Sequence, residues 1–257
     1  MILQHKGSPI YYSDQGKGTA IILLHGFLEN STMWKRIAPR LAKKNRVICI
    51  DLLGHGDTAC IGYIHTMDMM ADAVQTVLNH LKIRRYYIVG HSMGGYVALV
   101  LAERLPDNIK GLVLMNSTSK PDSDERIALR NRAIDVVKHN YESMVKMSIA
   151  NLFKPKNTIK FAKDIAWLKK EALRTPLQGY IAAQEGMKIR QDLEVLLHFS
   201  PYKKMIIYGK NDPVLNPETI IKQTHNTEVK LVELPDGHMS YIENESETLQ
   251  ELTLFIE

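Results

Sequence analysis

Apolar residues along the chain fall into two rhythms. Short continuous runs, Ala20 to Leu24, Arg46 to Ile50, Tyr86 to Val89 and Lys110 to Met115, predict buried strands of a parallel sheet. Between them the apolar positions take helical spacing. A helix is predicted from about Ser31, with Trp34, Ile37, Ala38 and Leu41 on one face, and another over Met67 to Leu81. Strand and helix in alternation give an α/β fold, a parallel sheet wrapped by helices. Ahead of this core, Ile2 to His5 and Ile10 to Ser13 predict an antiparallel hairpin at a sheet edge, joined through Gly7-Ser8-Pro9.

The rhythm breaks after Asn116. No strand pattern appears from Ser117 to about His198. Helices are predicted over about Asp124–His139, Tyr141–Phe153, Thr158–Arg174 and Leu177–Met187, with breaks at Pro121, Lys154-Pro155, Thr175-Pro176 and Gly186. A further helix near Asp192–Leu197 is assigned to the core. Strands resume at Lys204 to Tyr208 and Glu228 to Leu234, with helices from about Pro217 and over Glu245 to Phe255. The expected organisation is a core of residues 1–116 and 191–257, interrupted by a helical lid of residues 117–190. An insertion after a strand's C-terminal end sits over whatever site forms there.

Composition narrows the classes of function. At 257 residues, 45% hydrophobic and 24% charged, the chain can bury the core of an ordinary globular domain. A net charge of +5, without an arginine-rich or aromatic-interleaved stripe, gives no support to a nucleic-acid partner. Cys49 and Cys60 cannot form a disulfide framework, and Met1 to Gly7 lacks the pattern of a signal peptide, so a cytoplasmic location is expected. No apolar run approaches the ~20 residues of a membrane span. A monomer or homodimer is expected.

The candidate chemistry centres on Gly90-His91-Ser92-Met93-Gly94-Gly95, between an apolar strand and a helix-like run. A strand turning directly into a helix strains Ser92 and lifts its hydroxyl clear of the sheet. Gly90 and Gly94 permit the close backbone approach, and the helix N-terminus faces any developing negative charge. A serine hydroxyl is a weak nucleophile that needs a base, and the base needs an orienting acid. Asp212 and His238 each follow a late strand, where sites in open α/β sheets form, and are expected to complete a Ser92–His238–Asp212 triad. Asp236 lies too near His238 in the chain to reach the far side of its ring; Asp51 and Asp57 fall in the wrong chain order; Asn116 cannot serve as an acid. The amides of Met93 and Phe27 are the expected oxyanion donors. His25, His55 and His91 read as bracing or packing residues. No metal or cofactor site is expected.

These motifs resemble those of the α/β-hydrolase superfamily. The matching pieces are His25-Gly26-Phe27, Asp51-Leu52-Leu53-Gly54-His55-Gly56, the Ser92 turn, Gly209-Lys210-Asn211-Asp212-Pro213 and Gly237-His238. The resemblance implies a mostly parallel, eight-stranded sheet with a helical cap inserted after the sixth strand, and hydrolysis of esters or related acyl compounds without a metal or cofactor. Serine at position 92 argues against the dehalogenase and epoxide-hydrolase branches, which use aspartate there. The Asp51–Gly56 turn also resembles that of a menaquinone-pathway lyase built on the same triad. The stretch Asp122 to Arg126, followed by Arg130 and Arg132, is similar to lids of bacterial hydrolases in this group. Residues 117–198 carry 15 Lys and Arg against 10 Asp and Glu. This excess reads as a solvated helical surface, with an anionic substrate as the second reading. Met144, Met147, Phe153 and Trp167 read as the lid's own core.

The expected function is a serine carboxylesterase of small or medium acyl esters. Rival readings are C–C hydrolysis, perhydrolysis or lyase chemistry on the same triad, and a non-catalytic ligand receptor on the same fold.

Overall fold

In a computed structural model, which describes residues 1–257, the apolar runs become the centre of one eight-stranded sheet. Its strands are β1 (Ile2–His5), β2 (Ser8–Gly16), β3 (Ala20–Leu24), β4 (Arg46–Ile50), β5 (Tyr86–His91), β6 (Ile109–Met115), β7 (Lys203–Gly209) and β8 (Lys230–Leu234). The spatial order is β1-β2-β4-β3-β5-β6-β7-β8. From β4 to β8 every pairing is parallel; β1–β2 and β2–β4 are antiparallel.

Period-two alternation divides each central strand between two cores. Ile22, Leu24, Ile48, Ile50 and Ile88 face one layer of helices. Ile21, Leu23, Val47, Val89 and Val113 face the other. Both faces are covered, so the strands are apolar throughout rather than alternating with polar residues.

The helices are α1 (Ala38–Leu41), α2 (Met67–His80), α3 (Met93–Arg104), α4 (Asp124–Val137), α5 (Tyr141–Ala150), α6 (Ala162–Ala172), α7 (Leu177–Lys188), α8 (Val195–Phe199), α9 (Pro217–Gln223), α10 (Ser240–Glu243) and α11 (Glu245–Ile256). The first ten residues of α3 are all buried, which fits a helix that is apolar all round. Helices α4 to α8 form the insertion between β6 and β7. No helix is long and apolar enough to cross a membrane.

Several local boundaries differ from the pattern. β2 runs from Ser8 to Gly16, well beyond Ile10 to Ser13, because its two halves serve different partners: Ser8–Tyr11 pair with β1 and Tyr12–Gly16 with β4. The hairpin turn is correspondingly tight, with Lys6 and Gly7 at φ 49° and 78°. The helix expected from Ser31 is a 3-10 segment, Ser31–Arg36, followed by α1. Pro39 lacks the N–H that would continue one ladder through Ile37, and it restarts the helix instead. In the cap, the helix expected from Thr158 begins at Ala162, after a 3-10 turn over Pro155–Asn157.

Candidate active site

β5 ends at His91, and Ser92 follows at φ 48°, ψ −114°. A residue with a Cβ pays conformational strain there, so the surroundings must hold it. Ser92 N–H donates to Met115 O at 2.9 Å. Its carbonyl accepts from Gly95 N–H at 2.9 Å and Ser117 Oγ at 2.7 Å. Helix α3 then starts at Met93, tight against the end of β3: a Cβ on Gly94 would lie 2.5 Å from Leu24 O and 2.6 Å from His25 O.

His238 and Asp212 meet across the ends of β8 and β7. His238 Nδ1 lies 2.7 Å from Asp212 Oδ2. Asp212 Oδ1 accepts Val214 N–H at 2.8 Å and Leu215 N–H at 3.1 Å, and Asn116 Nδ2 donates to Oδ2 at 3.1 Å. Burial alone would push the Asp212 carboxyl up; His238 and these hydrogen bonds outweigh it and hold the group below its ordinary range. An ionised Asp212 fixes the imidazole with its proton on Nδ1, leaving Nε2 free to accept another. Asp236 is committed elsewhere, 3.0 Å from Lys154 Nζ and 3.1 Å from Asn244 Nδ2. Asp51 closes its own turn through Ser31 N–H at 2.6 Å and Asp57 N–H at 2.9 Å.

Ser92, His238 and Phe27 border one cavity of about 250 Å³, roofed by α4, α5 and α7. Tyr180 of α7 packs edge-on against the Phe27 ring, centroids 4.9 Å apart. Of the four cap residues read as lid core, Met144 borders the cavity and Phe153 is buried. Met147 is 53% exposed, and the Trp167 ring lies 3.2 Å beneath Lys35 Nζ. The loop after β3 comes against the serine: a Cβ on Gly26 would stand 3.3 Å from Ser92 Cβ. Gly26 N–H is taken by Glu29 Oε2 at 2.8 Å, whereas the Phe27 and Met93 amides donate to no other protein group. Met93 opens a helix, where backbone N–H groups have no intrahelical partner. Two donors near the serine can receive an oxyanion.

Behind the serine lies a polar cluster with no counterpart in the sequence pattern. Glu29, 2% exposed, accepts from His91 Nδ1 at 2.7 Å through Oε2 and from Tyr241 OH at 2.6 Å through Oε1. His91 Nε2 lies 3.0 Å from His238 O. With a carboxylate on one ring nitrogen and a carbonyl on the other, His91 donates from both and is an imidazolium. Burial would raise the Glu29 carboxyl, but His91 and Tyr241 draw it down to about 2. Burial would likewise lower His91, and Glu29 overrides this to raise it. His25 has a bracing role, accepting Leu52 N–H at 2.8 Å on Nε2 and donating to its neighbour's carbonyl, Gly26 O, at 2.7 Å. His55 packs against Phe27 and bonds Leu53 O at 3.0 Å; burial pushes it down to about 3.

Glu243 is the other residue the pattern missed. Its Oε1 accepts Lys154 N–H at 3.0 Å and Asn157 Nδ2 at 2.8 Å, and its Oε2 accepts Gly237 N–H at 3.1 Å. His238 N–H donates to Leu152 O at 2.9 Å. The end of α5 is thus tied to the loop that carries His238. No group of three or more His, Cys, Asp or Glu side chains is arranged to hold a metal ion.

Comparison with known proteins matches this architecture. A family model described as the alpha/beta hydrolase fold covers residues 19–245. The chain is 28% identical over 247 residues to the dihydrolipoyllysine-residue acetyltransferase component of an acetoin cleaving system from Pseudomonas putida, covering 93% of this chain and 64% of that protein. It is 27% identical over 249 residues to a pimeloyl-[acyl-carrier protein] methyl ester esterase from Nitrosomonas europaea, covering 91% of this chain and 94% of that one. A thermophilic esterase from Thermogutta terrifontis, solved with malate bound, superimposes with a TM-score of 0.92 at 28% identity, over 99% of this chain and 96% of its own. The chain spans under two thirds of the Pseudomonas protein and 30% of mycobacterial relatives matched over 102 residues. With most of its length matched by that family model and its sheet order and helical insertion as described, this chain belongs to the α/β-hydrolase fold family.

Proposed function

We propose that the protein is a serine carboxylesterase whose triad is Ser92, His238 and Asp212. The 2.7 Å contact between His238 Nδ1 and Asp212, on the same cavity as a strained Ser92, is the observation that carries this reading. His238 Nε2 takes the hydroxyl proton as Ser92 Oγ attacks the ester carbonyl carbon. The carbonyl oxygen becomes an oxyanion held by the Phe27 and Met93 amides. The tetrahedral intermediate collapses, His238 returns its proton to the departing alcohol, and an acyl-enzyme remains. Water, deprotonated by His238, then releases the acid and regenerates Ser92. Asp212 stabilises the imidazolium at each step. The cap of residues 117–190 acts as a lid that selects the acyl group. Similarity to esterases supports the reaction class, and the pimeloyl-ester relative supports ester rather than amide cleavage.

The test is a burst assay with p-nitrophenyl esters of graded acyl length, beside fluorophosphonate labelling. Wild type is expected to give a burst equal to enzyme concentration, and Ser92→Ala to lose both burst and label. Labelling without turnover of any ester would move C–C hydrolysis and lyase chemistry ahead. Absence of labelling in folded wild type would defeat the nucleophile assignment.

A further inference from the structure

Arg126 and Arg130 border the roof of the cavity, and Arg190 lies behind them; one carboxylate serves Arg130 and Arg190. Asp122, its side chain 2% exposed, pairs with Arg130 Nε and with Arg190 Nη1, the latter at 2.6 Å. Arg130 Nη1 also donates to Gln184 Oε1 at 2.7 Å, and the Arg190 guanidinium lies 4.0 Å from the Tyr96 ring centroid. Both are fixed. Arg126 stands one turn before Arg130 on α4. Its backbone N–H reaches Ser123 Oγ at 3.3 Å, but its guanidinium has no carboxylate, carbonyl or ring partner. It borders the same cavity as Ser92 and His238.

That placement is unfavourable for a cation by itself. Arg126 lies in the first turn of α4, where the helix dipole already presents positive charge. Burial first, and then Arg130, draw its pKa below the ordinary value, against a weaker opposing pull from Tyr96 and Asp122. Glu29, the one carboxylate bordering the cavity, is occupied by Gly26, His91 and Tyr241. A half-buried cation on the cavity wall, with no hydrogen-bonded or ion-paired partner in the chain, is available to an anion from outside it.

We propose that Arg126 is a specificity residue for a carboxylate carried by the substrate, so that the ester cleaved at Ser92 is a hemiester of a small dicarboxylic acid. This rests on the ester-hydrolysis reading above. The guanidinium fork matches a carboxylate with two parallel N–H bonds, and a single free fork suits a single monoanion. Leu129, Met144 and Ile149 give the rest of the cavity an apolar wall, which fits a methylene chain between the two acyl ends.

The test compares p-nitrophenyl hydrogen adipate with p-nitrophenyl hexanoate, which share an acyl length, in wild type, Arg126→Gln and Arg126→Lys. Wild type is expected to favour the hemiester about tenfold or more in kcat/KM, the strength of one charge-assisted contact. Arg126→Gln should abolish that ratio, mainly through KM, and Arg126→Lys should restore part of it. The same ratio in wild type and Arg126→Gln overturns the assignment. Calorimetry of monomethyl adipate on Ser92→Ala, with and without Arg126→Gln, separates the site from the reaction. Binding that disappears with Arg126→Gln, in an enzyme that turns over no ester, upholds the anion site and rejects the esterase reading. Turnover of the hexanoate with no binding of monomethyl adipate does the reverse.

Discussion

Asp212 receives four hydrogen bonds, from His238, Asn116 and the amides of Val214 and Leu215. Each favours the ionised carboxylate, and together they overcome its burial. In the proposed triad, Asp212→Asn keeps the shape but removes the charge that would stabilise the imidazolium and fix its tautomer. Its kcat should fall roughly 10³- to 10⁴-fold, measured by steady-state hydrolysis of a p-nitrophenyl ester. Asn116→Ala removes one donor of four and should cost only about tenfold in the same assay. The two effects differ because Val214 and Leu215 still hold the carboxylate when Asn116 is gone. The proposed triad residues stand out in the sequence because each lies close behind a strand end: Ser92 directly after β5, Asp212 in the loop after β7 and His238 in the loop after β8. Asn116 follows one too, but its role depends on a left-handed turn, φ 46°, that aims its amide at the Asp212 loop. Glu29 is not legible at all: its partners, His91 and Tyr241, lie 62 and 212 positions away, and only the fold brings them together.

At the scale of elements, the serine's position depends on how closely α3 approaches β3. Gly→Ala within a helix ordinarily stabilises, by reducing the freedom of the unfolded chain. Here a new methyl at position 94 would press on the Leu24 and His25 carbonyls. Gly94→Ala should therefore destabilise by about 1–3 kcal/mol and slow fluorophosphonate labelling of the folded protein. Thermal unfolding beside labelling rates checks both; a raised Tm with unchanged labelling would contradict the contact. Two central strands, Ala20–Leu24 and Arg46–Ile50, are legible to the residue, and β5 and β6 differ from the pattern only at one end, because burial on both faces writes a continuous apolar run. Helix ends in the cap were less so. Cap helices pack on one side, and polar turns such as Pro155–Asn157 carry the same residues as exposed helical faces. The four-residue α10 is too short to show a period, yet it supplies Tyr241 and Glu243.

For the molecule as a whole, the Glu29–His91 pair links the loop after β3, the end of β5 and the His238 loop, and it sets a pH window for stability. The Glu29 carboxyl lies at about 2, below its ordinary 4.5, so its contribution is complete above about pH 4.5 and is lost as pH falls toward 2. His91 is raised above 6.5, so its contribution is complete below about pH 6.5 and is lost as pH rises through the raised value. The pair stabilises most between these limits. Glu29→Gln should lower stability there by about 3–5 kcal/mol and flatten both flanks of Tm against pH, as followed by calorimetry. Parallel wild-type and variant curves would refute the coupling. A different consequence follows from the bond between Leu152 O and His238 N–H. The cap's α5 edge and the proposed base behave as an interlock. Parting that corner of the roof from the core removes the backbone bond that ties the His238 loop to the cap, leaving Asp212 on the ring and His91 on the carbonyl to hold the base.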